Sequence, residues 1–244
     1  MRFLKDKEAV HPSGEWLVFN SDDHSYLMNG KVPLTSVTRF INNFFEKFDT
    51  EKASRKYSLK HGLRQQDVIK MWEERGREAR ELGNRVHFYA ECLVKGENLP
   101  KPTSGKESVF YKVVDNSVSK LLAKYELVEA EKIVFDPANK IAGTIDLILK
   151  DNDNGDIVVF DWKTSKEIKT SNPWQSGRPP IRHLQDCNYN HYSLQLNFYK
   201  KILRDENYYP GCGYRIGIGQ LTPGGMNWLK IKSMDNEVAD MIAW

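Results

Sequence analysis

The alternation of apolar and polar residues changes period several times along the chain. Residues 15–37 alternate with a period of two around Asp22, Asp23 and the Asn29-Gly30 pair, which predicts short strands joined by tight turns. Thr35 or Ser36 then caps a helix running towards Phe45, and a second helical stretch, rich in Lys and Arg, starts near Thr50. The longest helical pattern covers residues 67–94 and stops at Gly96 and Pro100. It contains Gly76 and Gly83, as breaks or as points of close packing.

Residues 108–122 again show apolar positions at helical spacing, and then the period returns to two. Residues 129–135, 141–150 and 156–163 read as three strands, separated by Asp136-Pro137 and by a polar run. Residues 167–190 carry prolines, glycines and scattered aromatics without a period, so they form a long loop, of a length that usually serves a function or moves. Residues 192–203 are helical, and 214–220 with 228–232 form a final strand pair. The expected fold is α/β, a mixed central sheet flanked by helices. It forms one domain over 1–244, with residues 1–65 as an N-terminal hairpin and helices and 66–244 as the core.

Composition narrows the picture only a little. At 40% hydrophobic and 28% charged residues the chain is a soluble globular protein, too apolar to be disordered. A net charge of +3 identifies no polyanionic partner, because a basic groove can coexist with an acidic opposite face. Cys92, Cys187 and Cys212 lie far apart with no CxxC, which argues against a disulfide framework or zinc knuckle and for a reducing, cytoplasmic compartment. Residues 1–10 lack the apolar core of a signal peptide and no run approaches the length of a membrane span, so neither secretion by that route nor membrane anchoring is expected. Nor is there a GxxxxGK[ST] phosphate loop, so no ATP-driven helicase activity is expected.

Chemistry enters with two aspartates that interrupt successive apolar strands, Asp146 in Gly143-Thr-Ile-Asp and Asp161 in Phe160-Asp-Trp-Lys163. A charge within an apolar strand is costly to bury unless it is paired or binds metal. If residues 151–156 form the turn, Lys150 pairs with Ile157 and Asp146 falls opposite Asp161, the two being about 5 Å apart. Asp161 and Lys163, two apart, share a face. A turn one residue shorter sends the aspartates to opposite faces. Two carboxylates and an ammonium at one point suit phosphodiester hydrolysis, with oxygen ligands for Mg²⁺ or Mn²⁺ and an amine that orients water or offsets charge. Taken alone, the same residues also suit a solvated hairpin face with an ion pair of little energetic worth. The stretch from Lys163 to Arg182, with Lys166, Lys169, Trp174 and Arg178, has cations for phosphates and an aromatic for stacking, and reads equally as a solvated loop.

Gly143 to Asp146 with Asp161-Trp-Lys163-Thr164 resembles the catalytic hairpin of PD-(D/E)XK nucleases, whose core is restriction-endonuclease-like. Gln195-Leu-Asn-Phe-Tyr199 resembles the QxxxY motif of the RecB-like branch, and Gly83-Asn-Arg-Val-His87 its upstream GxxxH motif. Pro33 to Thr38, Phe44-Phe45 and Phe48-Asp49 are similar to the opening segment of viral and mitochondrial genome-maintenance exonucleases. The resemblance implies that His87, Asp146, Asp161 and the Trp162 carbonyl ligate Mg²⁺ or Mn²⁺ and that Lys163 is the catalytic lysine. Gln195 and Tyr199 would contact substrate or steady the site, with Thr164 and Lys166 near phosphates. Glu91, one helical turn after His87, would orient the imidazole, serve a second ion or form a surface pair. Some relatives hold an iron–sulfur cluster through four cysteines; the number and spacing here do not match, so no cluster is expected. The implied activity is a DNA exonuclease on single strands or DNA ends, serving replication, recombination or repair, and is compatible with a phage-encoded protein in a bacterial host. The alternatives are a DNA-binding recombination or packaging module without turnover and a sequence-dependent endonuclease.

Overall fold

The computed structural model describes residues 7–21 and 23–244; the first part of the charged opening stretch and Asp22 of the first turn lie outside the described residues. Four short strands come first, β1 (Lys7–Val10), β2 (Trp16–Asn20), β3 (Ser25–Met28) and β4 (Val32–Ser36). Helices α1 (Val37–Asn42), α2 (Thr50–His61), α3 (Gln65–Lys95) and α4 (Gly105–Leu122) follow. Three longer strands, β5 (Tyr125–Asp136), β6 (Ile141–Asp151) and β7 (Ile157–Lys163), lead through a long irregular segment to α5 (Asn188–Asp205). The chain then forms β8 (Tyr214–Thr222), β9 (Gly225–Lys230) and α6 (Asp235–Ala243).

The helix starts have local causes. Ser36, Asp49 and Ser104 cap α1, α2 and α4, each side chain accepting a hydrogen bond from an amide in the first turn. The two internal glycines do not break α3, which runs unbroken for 31 residues and ends at Gly96 in the left-handed conformation. Close packing accounts for one of them: a Cβ on Gly83 would lie 3.3 Å from Thr164 Oγ1, so the glycine lets α3 approach the end of β7.

The nine strands form one mixed sheet in the order β1-β2-β3-β4-β6-β7-β8-β9, with β5 also paired to β6. The α/β fold expected from the periodicity is therefore the one observed, consistent with a restriction-endonuclease-like core. Ile157 and Val159 pack with Leu194, Phe198 and Ile202 of α5 on one face of the sheet. Val158, Phe160 and Trp162 pack with Val86 of α3 and Phe110 and Val114 of α4 on the other. Burial on both faces explains why β7 is apolar at successive positions, a departure from the period of two expected there, with Asp161 as the exception. Two elements were absent from the periodicity, β1 and α6. In α6 only Val238 and Met241 are buried, too thin a stripe to stand out. Among the described residues no helix is long and apolar enough to cross a membrane.

One feature of the sheet positions the site. Strand β5 covers one edge of β6 along nearly its whole length. The other edge is shared: β4 pairs in parallel with Ile141 and Ala142, and β7 pairs antiparallel with Leu147 to Lys150. Between those partners, Gly143 to Asp146 face a gap where no strand is bonded.

Candidate active site

The register on which the meeting of the aspartates depends is the one observed. Lys150 pairs with Ile157 and Leu147 with Phe160, so the next rung sets Asp146 opposite Asp161. There the ladder gives way, and the Trp162 amide donates to Asp146 Oδ2 at 2.8 Å. The N–H and C=O of one strand residue project to the same edge, so the Trp162 carbonyl faces the same gap. The indole points away, 1% exposed, edge-on to Phe160 in the core beneath.

Helix α3 supplies the histidine. With Gly83 seated against Thr164, His87 comes one turn later over the gap, its Nδ1 3.2 Å from Asp146 Oδ2. On the α5 side, Lys163 Nζ lies 2.6 Å from Asp161 Oδ2 and donates to Gln195 Oε1 at 3.3 Å. It also stands 4.7 Å over the Tyr192 ring. The Gln195 amide group donates in turn to the Tyr199 hydroxyl at 3.2 Å and to Thr38 Oγ1 at 3.1 Å. One helical turn apart on α5, Gln195 and Tyr199 thus form a single polar chain behind the lysine.

Other residues singled out from the sequence fall less centrally. Thr164 is half-buried and Lys166 exposed, and both line the cleft. Glu91 is taken up by Lys7 at 3.3 Å and Lys95 at 2.6 Å, whereas the imidazole is held by Asp146. Lys169, Trp174, Arg178 and Arg182 are exposed, Trp174 at 89%, and do not line the cleft around the aspartates.

Glu131, which the strand pattern does not single out, completes the arrangement. The pairs Ala130–Leu147 and Lys132–Ile145 flank it, so it faces Asp146 across β5 and β6. Glu131, Asp146 and Asp161 therefore occupy one rung of three adjacent strands. Ligand atoms of His87, Glu131 and Asp146 all lie within 4.8 Å of one another. Lys7 reaches Glu131 Oε2 at 3.4 Å.

The electrostatics show a surplus of buried negative charge. Burial draws the His87 imidazole down, but the charge and hydrogen bond of Asp146 push it up to about 9. Burial works to raise Asp146, yet His87 and then Lys163 hold it below its ordinary value. Burial pushes Asp161 up to about 6, with Lys163 opposing and Asp146 reinforcing. Burial and then Asp146 push Glu131 up to about 7. Burial works to lower Lys163, but Asp161 and Asp146 raise it.

This donor set fits a divalent cation. Carboxylate oxygens, one imidazole and a strand carbonyl suit Mg²⁺ or Mn²⁺. Asp161 Oδ2 is buried and, although Lys163 is close, lacks a hydrogen bond of ordinary geometry. A cation would supply that missing partner and relieve the repulsion along the rung. The groups open into a cleft of about 1010 Å³ that Arg39, Arg80, Lys106 and Lys166 also line. Cations around an acidic floor suit a polyanionic ligand.

The chain matches the family model of the PD-(D/E)XK nuclease superfamily over residues 49–241. No curated protein matches the chain.

Proposed function

From the premise that the chain belongs to the PD-(D/E)XK nuclease superfamily, we propose that it is a Mg²⁺- or Mn²⁺-dependent deoxyribonuclease, an exonuclease of the RecB-like branch. In this reading it acts on single strands or DNA ends in replication, recombination or repair inside a cell, a phage-infected bacterium included. The observation that carries the proposal is the convergence of His87, Asp146, Asp161 and Lys163 on the one open stretch of β6.

Each side chain has a role in this reading. His87, Asp146, Asp161 and the Trp162 carbonyl would hold the ion, and a bound divalent ion would supply Lewis-acid polarisation of a phosphate and a more acidic water. Asp146 also keeps the imidazole turned towards the gap, through the 3.2 Å contact. Lys163, raised by Asp161 and then by Asp146, stays protonated, so it serves as a donor to water or to a phosphoryl oxygen and not as a base. Gln195 accepts from that ammonium and is itself fixed by Tyr199 and Thr38, which limits where the lysine can point. Thr164 and Lys166, on the same wall of the cleft, meet phosphates that flank the reacting one. The preference for DNA ends rests on the resemblance of the GxxxH and QxxxY segments to RecB-like exonucleases.

End-labelled linear DNA, single- and double-stranded, incubated with Mg²⁺, Mn²⁺ or chelator tests the proposal directly. Ion-dependent products that shorten progressively from one end are expected, and the label that survives gives the polarity. Circular single strands or closed duplexes cut as fast as linear ones point to an endonuclease instead. Intact DNA with every ion, together with measurable binding, points to a recombination or packaging module.

A further inference from the structure

We propose that Glu131 is a metal ligand, forming with His87 and Asp146 a second divalent-cation position that shares Asp146 with the position between Asp146 and Asp161. The inference rests on the reading of the cleft as a divalent-ion-dependent nuclease site; it adds Glu131 and an ion to that site and moves His87 from the first ion to the second.

Geometry carries the argument. Among the described residues, His87, Glu131 and Asp146 form the one group of three His, Cys, Asp or Glu side chains whose ligand atoms lie within 4.8 Å of one another. Ligand atoms around an octahedral Mg²⁺ or Mn²⁺ are separated by about 3 to 4 Å, so small side-chain movements close the trio on an ion. Asp161 falls outside the trio, and its Oδ2 lies 2.6 Å from Lys163 Nζ. One ion therefore does not draw on all four side chains without rearrangement. Two ions that share Asp146 draw on all four groups with only the small movements the trio needs.

The backbone supports a functional reading of Glu131. It adopts φ of 54°, the left-handed region, in the middle of a long strand. For a non-glycine residue that conformation costs about 1 kcal/mol or more, and such outliers gather at functional sites. A bulge in β5 between Leu127 and Glu129 shifts the register by one residue and so brings Glu131 opposite Asp146. Lys7 Nζ lies between Glu131 at 3.4 Å and Glu91 at 3.3 Å, so an ion at the trio would compete with an ammonium for the Glu131 carboxylate. A purely structural role for Glu131, anchoring β1 through Lys7, is the competing explanation.

Calorimetric titration of Mn²⁺ into the full chain, with Glu131→Gln and Asp161→Asn alongside, separates the two. The wild type is expected to take up about two ions and each variant about one. A structural role instead predicts that Glu131→Gln lowers the thermal midpoint and leaves the Mn²⁺ stoichiometry unchanged, which overturns the proposal. A second measurement needs no variant: ions bridged by one carboxylate lie about 3.5–4 Å apart, so the wild type with excess Mn²⁺ should give an exchange-coupled electron paramagnetic resonance spectrum. One uncoupled ion in a protein that still cleaves DNA sinks the second position and leaves the nuclease reading standing. No ion bound and no cleavage sinks both.

Discussion

Tyr199 occupies the space that any side chain on Gly143 would need: a Cβ built there would come within 2.5 Å of Tyr199 Cε1. The glycine belongs to β6, in the gap between its β4 and β7 partners, and the tyrosine to α5. Their contact lets α5 lie close enough for Gln195 to reach Lys163.

Gly143→Ala is accordingly expected to displace Tyr199, to lower stability by about 1–3 kcal/mol, and to reduce cleavage more than ion binding. Urea unfolding, a Mn²⁺ isotherm and a single-turnover rate read these separately. The double variant Gly143→Ala/Tyr199→Ala should destabilise by clearly less than the sum of the single changes, because the added methyl then has room. Strict additivity would show that the two residues are not coupled.

Asp161→Asn and Lys163→Met should each slow cleavage about 100- to 1,000-fold, yet differ in what else they do. The asparagine weakens Mn²⁺ binding. The methionine leaves Mn²⁺ affinity unchanged or raises it, since it removes a cation beside the ligands, but strands Asp161 without a counter-ion in the metal-free chain. A stability loss of about 3 kcal/mol there, recovered on adding Mn²⁺, is the expected signature. Equal loss of ion affinity in both variants would place Lys163 among the groups that organise the ligands.

The core of the site was legible because one turn length settles a register. Residues 151–156 form the turn, Lys150 meets Ile157, and the faces of Asp146, Asp161 and Lys163 follow from a period of two. Gln195, Tyr199 and His87 stood out through the resemblance of their segments to QxxxY and GxxxH motifs, and periodicity alone did not mark them. Glu131 was not legible, because Glu129 and Glu131, two apart, read as an ordinary polar strand face, and the bulge that sets Glu131 opposite Asp146 leaves no local signal. The parallel contact of β4 with β6, which bounds the gap, joins residues about a hundred positions apart and has no local signature either. Composition marked residues 163–182 as basic and aromatic, but only the structure separates Lys166, which lines the cleft, from Lys169 and Arg182, which do not.

That separation is testable through salt. With Asp161→Asn as a binding-competent background, affinity for a single-stranded oligonucleotide should fall linearly with log salt. Arg39→Ala, Arg80→Ala and Lys166→Ala should each lower the slope by about 0.7, the amount expected when one phosphate fewer is neutralised. Lys169→Ala and Arg182→Ala should leave it unchanged. A shallower slope for the second pair but not the first would move the nucleic-acid track onto the long loop.

The dependence of stability on metal should grow with pH, and the buried rung determines the sign. In the folded, metal-free chain His87 keeps its proton up to about 9 against an ordinary 6.5, Glu131 up to about 7 against 4.5, and Asp161 up to about 6 against 3.8. Each folded value is raised, so the native state holds these protons more tightly than the unfolded chain. The stability they confer is complete below the ordinary values and is lost as pH climbs through the folded ones, from the Asp161 window to that of His87. Asp146 runs oppositely, its lowered value adding stability that disappears only on acidification below 3.8. A divalent ion takes the place of the departing protons, so its binding releases protons and tightens as pH rises. At 100-fold excess over its dissociation constant an ion adds about 2.7 kcal/mol, or about 5–10 °C for a chain of this size. Melting with Mn²⁺ and with chelator should therefore differ by that much near pH 8.5 and by little at pH 5. In His87→Asn the decline of metal-free stability between about pH 7 and 9 should flatten. A Mn²⁺ shift that stays constant across this range would mean that ion and protons do not compete for these side chains.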